Sequence, residues 1–326
     1  MRVLFLVDGN NKIGVGHVYR SINLAKNLKK NGHDIIFLTQ KNQSKKIISQ
    51  IFDCKLSRKL NNNTTKNFLK KFCPDIIIID KLNETKTNLS FLHKFCPIMG
   101  IDYIGKYKTM IDFGINILYP KSGILKNSYS SLNFAILDEK FQRYKKKKIT
   151  KDIKSILILQ GGADTYCFTP KIIKAVSNLK GNFKISVVLG PSFKCWSKLD
   201  RILKESKRPI KIYHNVKNMP VLMQQADLAV TAGGNTLLEL ACLGIPSLVI
   251  CAEKFEEETA ILLEKKNFCV NIGFGKSLTN SKIHYHLTKI VNDYNLRKKM
   301  HKIGPKLVDG KGSLRITKIL QTKISV

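Results

Sequence analysis

No apolar run in this chain approaches the roughly 18 residues that a membrane-spanning helix needs. The first such run, Val3 to Val7, meets Asp8 too early for the apolar core of a signal peptide, about 7 to 15 residues long. A soluble cytoplasmic protein is the expectation. Carboxylates are scarce as well: 23 Asp and Glu stand against 57 Lys and Arg, for a formal net charge of +34. Such an excess suits nucleic acid, an anionic membrane surface or phosphorylated substrates. Aromatic residues are not interleaved with the basic runs as base-stacking platforms would require, and Lys145 to Lys148 is the one dense block. The charge reads as solvated surface. It leaves room for weak peripheral membrane contact and gives no reason to expect a specific nucleic acid partner.

Paired cysteines are missing too. Cys54, Cys73, Cys96, Cys167, Cys195, Cys242, Cys251 and Cys269 form no C-x-x-C pair, and most sit in apolar contexts such as "LACLGIP". Reduced core thiols are expected, without a disulfide framework or a zinc site. "HYH" at His284 to His286 places its histidines two apart, which on a helix is not one face. No metal ion and no other cofactor is expected.

What is present is an alternation of short apolar runs with longer stretches of helical spacing. Strands are expected at 2–7, 34–39, 75–80 and 97–101, then at 154–160, 184–189, 210–213, 227–231, 246–251 and 269–272. The run "PDIIIID" is apolar and β-branched without alternation, as a strand covered on both faces should be. These βαβ units predict an α/β fold of two Rossmann-like domains facing a cleft, with parallel sheets and right-handed crossovers. The charged "FQRYKKKKITKD" reads as a linker near 142–152, giving a first domain over 1–145 and a second over 153–326.

Three glycine loops follow expected strands, at the edge where open α/β sheets bind ligands. In "DGNNKIGVGHVYR" a helix is expected over Ser21 to Lys30, so the loop brings Gly14, Gly16 and His17 to its start. It is no dinucleotide fingerprint, since Tyr19 stands where G-x-G-x-x-G needs its last glycine. Histidine titrates near neutrality, so His17 has two readings, a helix cap or an acid-base group. "LQGGAD" supplies Gly161, Gly162 and Asp164, and Asp164 either caps the next helix or faces a ligand. "TAGGNTLLELACLGIP" reads as strand, turn and helix. Backbone amides at that helix start, with Gly233, Gly234, Asn235 and Thr236, suit a phosphate, and Glu239 one turn further suits ribose hydroxyls or else is a solvated carboxylate.

"GGNTLLELACLGIP" is similar to the nucleotide-binding segment of glycosyltransferase-B enzymes that use UDP-sugars. "IGVGHVYR" with Asp8, "FAILDEKF", "QGGAD" and the terminal "LVDGKGSLR" together resemble a narrower family. It comprises the UDP-2,4-diacetamido-2,4,6-trideoxy-β-L-altropyranose hydrolases of pseudaminic acid biosynthesis and their spore-coat polysaccharide relatives. The resemblance implies a metal-independent, inverting hydrolase that releases UDP and a free diacetamido sugar. It implies His17 as the catalytic residue that activates water. It also places Asp8, Arg20, Glu257 and Thr259 with the glycine loops among the substrate-binding residues. The alternative is a UDP-sugar-dependent glycosyltransferase of the same architecture in cell-surface polysaccharide synthesis. The chain departs from the family at Lys81-Leu82, where histidine and tyrosine are usual, and at Phe255-Glu256, where an Asn-Gln pair is common.

Overall fold

The computed structural model describes residues 1–9, 14–119, 121, 125, 127–144, 148–214 and 216–324. Residues 10–13 of the opening loop and 145–147 of the basic block therefore lie outside the described residues. The chain divides into two units, Met1–Asp138 with Gly310–Val326, and Glu139–Asp309.

The first unit carries a sheet of β1 (Arg2–Val7), β2 (Asp34–Thr39), β3 (Cys54–Leu56), β4 (Ile76–Asp80), β5 (Ile98–Ile101), β6 (Phe113–Asn116) and β7 (Ser128–Ser130). Its order is β3-β2-β1-β4-β5-β6-β7, with every pairing parallel. Every residue of β4 is buried, as its unbroken apolar run requires for a strand covered on both faces. Full burial of each such aliphatic side chain contributes about 1.5–3 kcal/mol, which fixes β4 at the centre. The short β3, β6 and β7 carry no comparable apolar run and were not expected. Gly114 admits β6 to the sheet, because a Cβ there would stand 2.4 Å from Leu125 Cδ1.

The second unit carries β8 (Ser155–Leu159), β9 (Lys184–Leu189), β10 (Ile210–His214), β11 (Leu228–Thr231), β12 (Ser247–Cys251) and β13 (Cys269–Phe274). Their order is β10-β9-β8-β11-β12-β13, again parallel throughout. All six expected strands of this half are present. In both sheets the strand order reverses beside the first strand, between β1 and β4 and between β8 and β11. Crevices that bind ligands form at such reversals, outside the carboxyl ends of the strands.

Three expectations change. Helix Gly16–Lys30 begins five residues before Ser21, because Val18, Ile22 and Ala25 extend its buried stripe backwards, and His17 lies in its first turn. The second domain does not run to residue 326. Helix Gly312–Ile324 belongs to the first unit, where Thr317 Oγ1 donates to Asn27 Oδ1 at 2.9 Å and Arg315 Nη1 donates to the Asn133 carbonyl at 2.9 Å. A Cβ on Gly312 would meet the Ala135 carbonyl at 2.2 Å, so the glycine of "GKGS" is there for close packing. Finally, Cys167 and Cys195 form a disulfide, against the expectation of reduced thiols throughout. The loops after β8 and β9 bring their Cα atoms to 5.7 Å, within the range a disulfide spans. The other six cysteines are free.

Candidate active site

At the reversal point of the first sheet stands a buried charged network centred on Asp80, the last residue of β4 and the register partner of Val7 in β1. His17 Nδ1 lies 2.8 Å from Asp80 Oδ1. Arg20, one turn further along the same helix, donates from Nη2 to Oδ1 at 2.6 Å and from Nε to Oδ2 at 2.8 Å. Ser21 Oγ donates to Oδ2 at 2.9 Å, so both carboxylate oxygens are fully engaged. Arg20 Nη1 donates to Asp102 Oδ2 at 2.5 Å, and Asp102 Oδ1 accepts from the amides of Ile117 and Leu118.

Charge follows from geometry. Burial pushes the Asp80 carboxyl up, but the Arg20 charge and the hydrogen bonds from Arg20 and His17 outweigh it and hold the group well below the ordinary carboxylate range. Burial alone would lower the Arg20 pKa; Asp80 and Asp102 instead raise it above its usual value. An ionised carboxylate only accepts, so the proton of the His17–Asp80 bond sits on Nδ1. In an uncharged imidazole that places the basic lone pair on Nε2. His17 is 19% exposed at its side chain while Asp80 is fully buried. A proton received at Nε2 would be balanced by a network that carries two carboxylates for one guanidinium.

Several expected residues take other places. Arg20 is 2% exposed with its guanidinium committed to Asp80 and Asp102, so it stands behind the histidine in the buried network. Asp8 does not touch His17 either. Its Oδ1 accepts from Thr39 Oγ1 and the Gln40 amide, and its Oδ2 pairs with Lys81 Nζ at 2.9 Å. Lys81, the first departure from the family pattern, also reaches Glu84 Oε2 at 2.5 Å and Gln40 Oε1 at 2.8 Å. Three acceptors thus occupy its ammonium. His17 does not cap its helix: the N-cap residue is Val15, and His17 lies inside the first turn with Nδ1 on Asp80. Gly14 lies just before the helix and Gly16 is its first residue.

In the second unit the loops after β8, β11 and β12 are neighbours, because those strands are adjacent. Gly161 has φ of +69°, a left-handed conformation suited to glycine, and with Gly162 it has open space around its Cβ position. Asp164 is a helix cap: its two oxygens accept from the amides of Phe168 at 2.7 Å and Thr169 at 2.9 Å. Burial pushes its carboxyl up, and those same bonds oppose the rise. Its side chain is engaged by the helix, which is the capping reading of the two. Thr259 is completely buried. Helix Asn235–Leu243 follows Gly234 and has no side-chain cap; Asn235, Thr236 and Glu239 are half-buried along its start. Glu257 opens helix Glu257–Lys265.

Asp80 and Asp102 were missed by the sequence reading. The signal for Asp80 was a charge closing the all-apolar "IIIID". Gln160 was missed as well. Its side chain is buried between β8 and the Gly161-Gly162 turn with neither amide atom hydrogen-bonded, and Thr231 Oγ1 at the end of the adjacent β11 is also unpartnered.

Residues 132–311, more than half of the chain, match the glycosyltransferase family 28 C-terminal domain. The chain belongs to this family. The uncharacterized protein MJ1062 of Methanocaldococcus jannaschii is 32% identical over 288 residues, 79% of this chain and 57% of that protein, so the chain spans little more than half of that relative. The spore coat polysaccharide biosynthesis protein SpsG of Bacillus subtilis is 28% identical over 335 residues, 98% of each chain. Among solved structures, MurG of Acinetobacter baumannii superposes with a TM-score of 0.72 at 12% identity, covering 98% of this chain and 99% of that one. Spinosyn rhamnosyltransferase SpnG in complex with thymidine diphosphate gives 0.67 at 11%, covering 99% and 100%. The fold is therefore the glycosyltransferase-B fold, and the family is one of glycosyltransferases. Among the described residues no helix is long and apolar enough to cross a membrane.

Proposed function

We propose that this protein is a nucleotide-sugar-dependent glycosyltransferase acting in polysaccharide biosynthesis, with UDP as the nucleotide and His17 as the general base. The His17–Asp80 pair carries the reading: a fixed tautomer with its free nitrogen at a sheet's reversal point is an acid-base device. Membership in family 28 and the full-length similarity to SpsG support the substrate class. In the proposed step an acceptor hydroxyl attacks the anomeric carbon as its proton passes to His17 Nε2. The bond from that carbon to the phosphate oxygen breaks, and UDP leaves. The amides of the uncapped helix start at Gly234 and Asn235 suit the charge that develops on the diphosphate, and Glu239 suits the ribose hydroxyls.

A second reading keeps the same base and replaces the acceptor with water. The motif resemblance favours it: His17 within "IGVGHVYR" and the terminal "LVDGKGSLR" match the diacetamido-sugar hydrolases, whose substrate would be a UDP-2,4-diacetamido-2,4,6-trideoxyhexose. One experiment separates the two. The protein is incubated with UDP-sugars, including the diacetamido sugar, in oxygen-18 water with and without polysaccharide acceptors. A transferase releases UDP only when the acceptor is present. A hydrolase releases it in water alone and places the label on the anomeric carbon. Label on UDP phosphate would mean attack at phosphorus and would remove both readings of His17.

A further inference from the structure

Glu256, a half-buried residue, already occupies the amide cradle beside the glycine turn. Its Oε2 accepts from the amides of Ala252 at 2.8 Å, Gly233 at 3.3 Å and Glu253 at 3.3 Å. The residue lies flat against the turn. A Cβ on Gly233 would meet the Glu256 carbonyl oxygen at 2.9 Å and its Cβ at 3.0 Å, and a Cβ on Gly234 would meet Oε1 at 3.2 Å. Oε1 thus faces the residue from which helix Asn235–Leu243 starts, and that N-cap residue, Gly234, has no side chain with which to cap it. The chain has placed its own anion where successive backbone amides and a helix start would receive a phosphate.

We infer that Glu256 makes nucleotide binding proton-linked: a carboxylate in the free protein, it takes up a proton on binding and, as the neutral acid, donates a hydrogen bond to a diphosphate oxygen. This rests on the proposed placement of UDP at the Gly233-Gly234 turn. A carboxylate oxygen and a phosphate oxygen both only accept, so they share hydrogen-bond distance only with a proton between them. The surroundings favour that proton. Burial pushes the Glu256 carboxyl up, its amide bonds oppose the rise, and the Glu253 charge adds to it. The other titratable groups on its own turn and the adjoining elements are the Cys251 thiol, Glu253, Lys254, Glu257, Glu258, Glu264, Lys265 and Glu239; the two lysines are exposed. Among the described residues Glu256 makes no ion pair with lysine or arginine. UDP should therefore bind more tightly as pH falls, because binding raises the pKa of this group.

The test is calorimetry of UDP binding to the full chain and to Glu256→Gln, which keeps an acceptor for the amides without the charge. At pH 8 the variant is expected to bind UDP about tenfold more tightly, the equivalent of one pKa unit. At pH 7, titrations in Pipes and in Tris should show the wild type taking up more protons per UDP than the variant. Equal or weaker binding by a folded Glu256→Gln, with equal proton uptake, would overturn the inference while leaving the UDP site standing. UDP binding by neither protein would overturn the nucleotide reading and this inference with it. UDP-N-acetylglucosamine gives a check on wild type alone, since its diphosphate has no ionisation near neutrality. Binding with no proton uptake would again overturn it.

Discussion

His17 Nδ1 and Asp80 Oδ1 stand 2.8 Å apart, although 63 residues separate them in the chain. The parallel register of β1 with β4 brings them together, because Val7 and Asp80 are paired at the carboxyl ends of the two strands. Asp80→Asn keeps the shape and removes the charge that fixes the tautomer. The buried Arg20 then keeps only Asp102 as its anion. Breaking a buried ion pair destabilises by about 3–5 kcal/mol, and the surviving Asp102 contact puts the expected loss near the lower end. Urea denaturation of the variant and the wild type at pH 7 measures it.

The same carboxylate gives the first unit an acid limit. Asp80 is depressed in the fold, against an unfolded value of about 3.9. Its contribution is therefore fully present above that value and is lost as pH falls through the folded one. Stability against urea should fall below about pH 4, and the fall should be shallower in Asp80→Asn.

Asp164 is expected to matter for stability and not for ligand. Asp164→Ala removes the acceptor of the Phe168 and Thr169 amides, a capping loss of about 0.5–2 kcal/mol. Calorimetry should find UDP affinity unchanged. A large loss of affinity in a protein with wild-type melting would return Asp164 to the site.

The cysteine pairing has a direct chemical readout. Denatured without reductant, the protein should expose the six free thiols, and after reduction all eight cysteines should react. Eight reactive thiols before reduction would contradict the Cys167–Cys195 bond.

Most of the fold was legible because its central strands are unbroken apolar runs, and all six strands of the second unit follow from them. The short strands Cys54–Leu56, Phe113–Asn116 and Ser128–Ser130 were not, since two are only three residues long and the third contains glycine. His17 could be singled out from its loop, but its partner could not. A carboxylate at the end of "IIIID" gains meaning only when the sheet order sets β4 against β1. The same limit hid the partners of Arg20, Asp8 and Asp164, whose residue types suit a ligand and whose side chains are engaged by the protein's own charges and amides. Cysteine spacing likewise gave no hint of the Cys167–Cys195 bond, because two βα loops far apart in sequence meet at one sheet edge.

The central claim is that His17 moves the proton in a reaction on a nucleotide-sugar, and His17→Asn tests it most directly. His17 is only partly buried, so the variant should fold and bind UDP close to wild type. Turnover, followed as UDP released under the conditions that support wild-type activity, should fall by the roughly 10² to 10⁴ of a lost acid-base group. Turnover that stays within a few-fold of wild type would contradict the account.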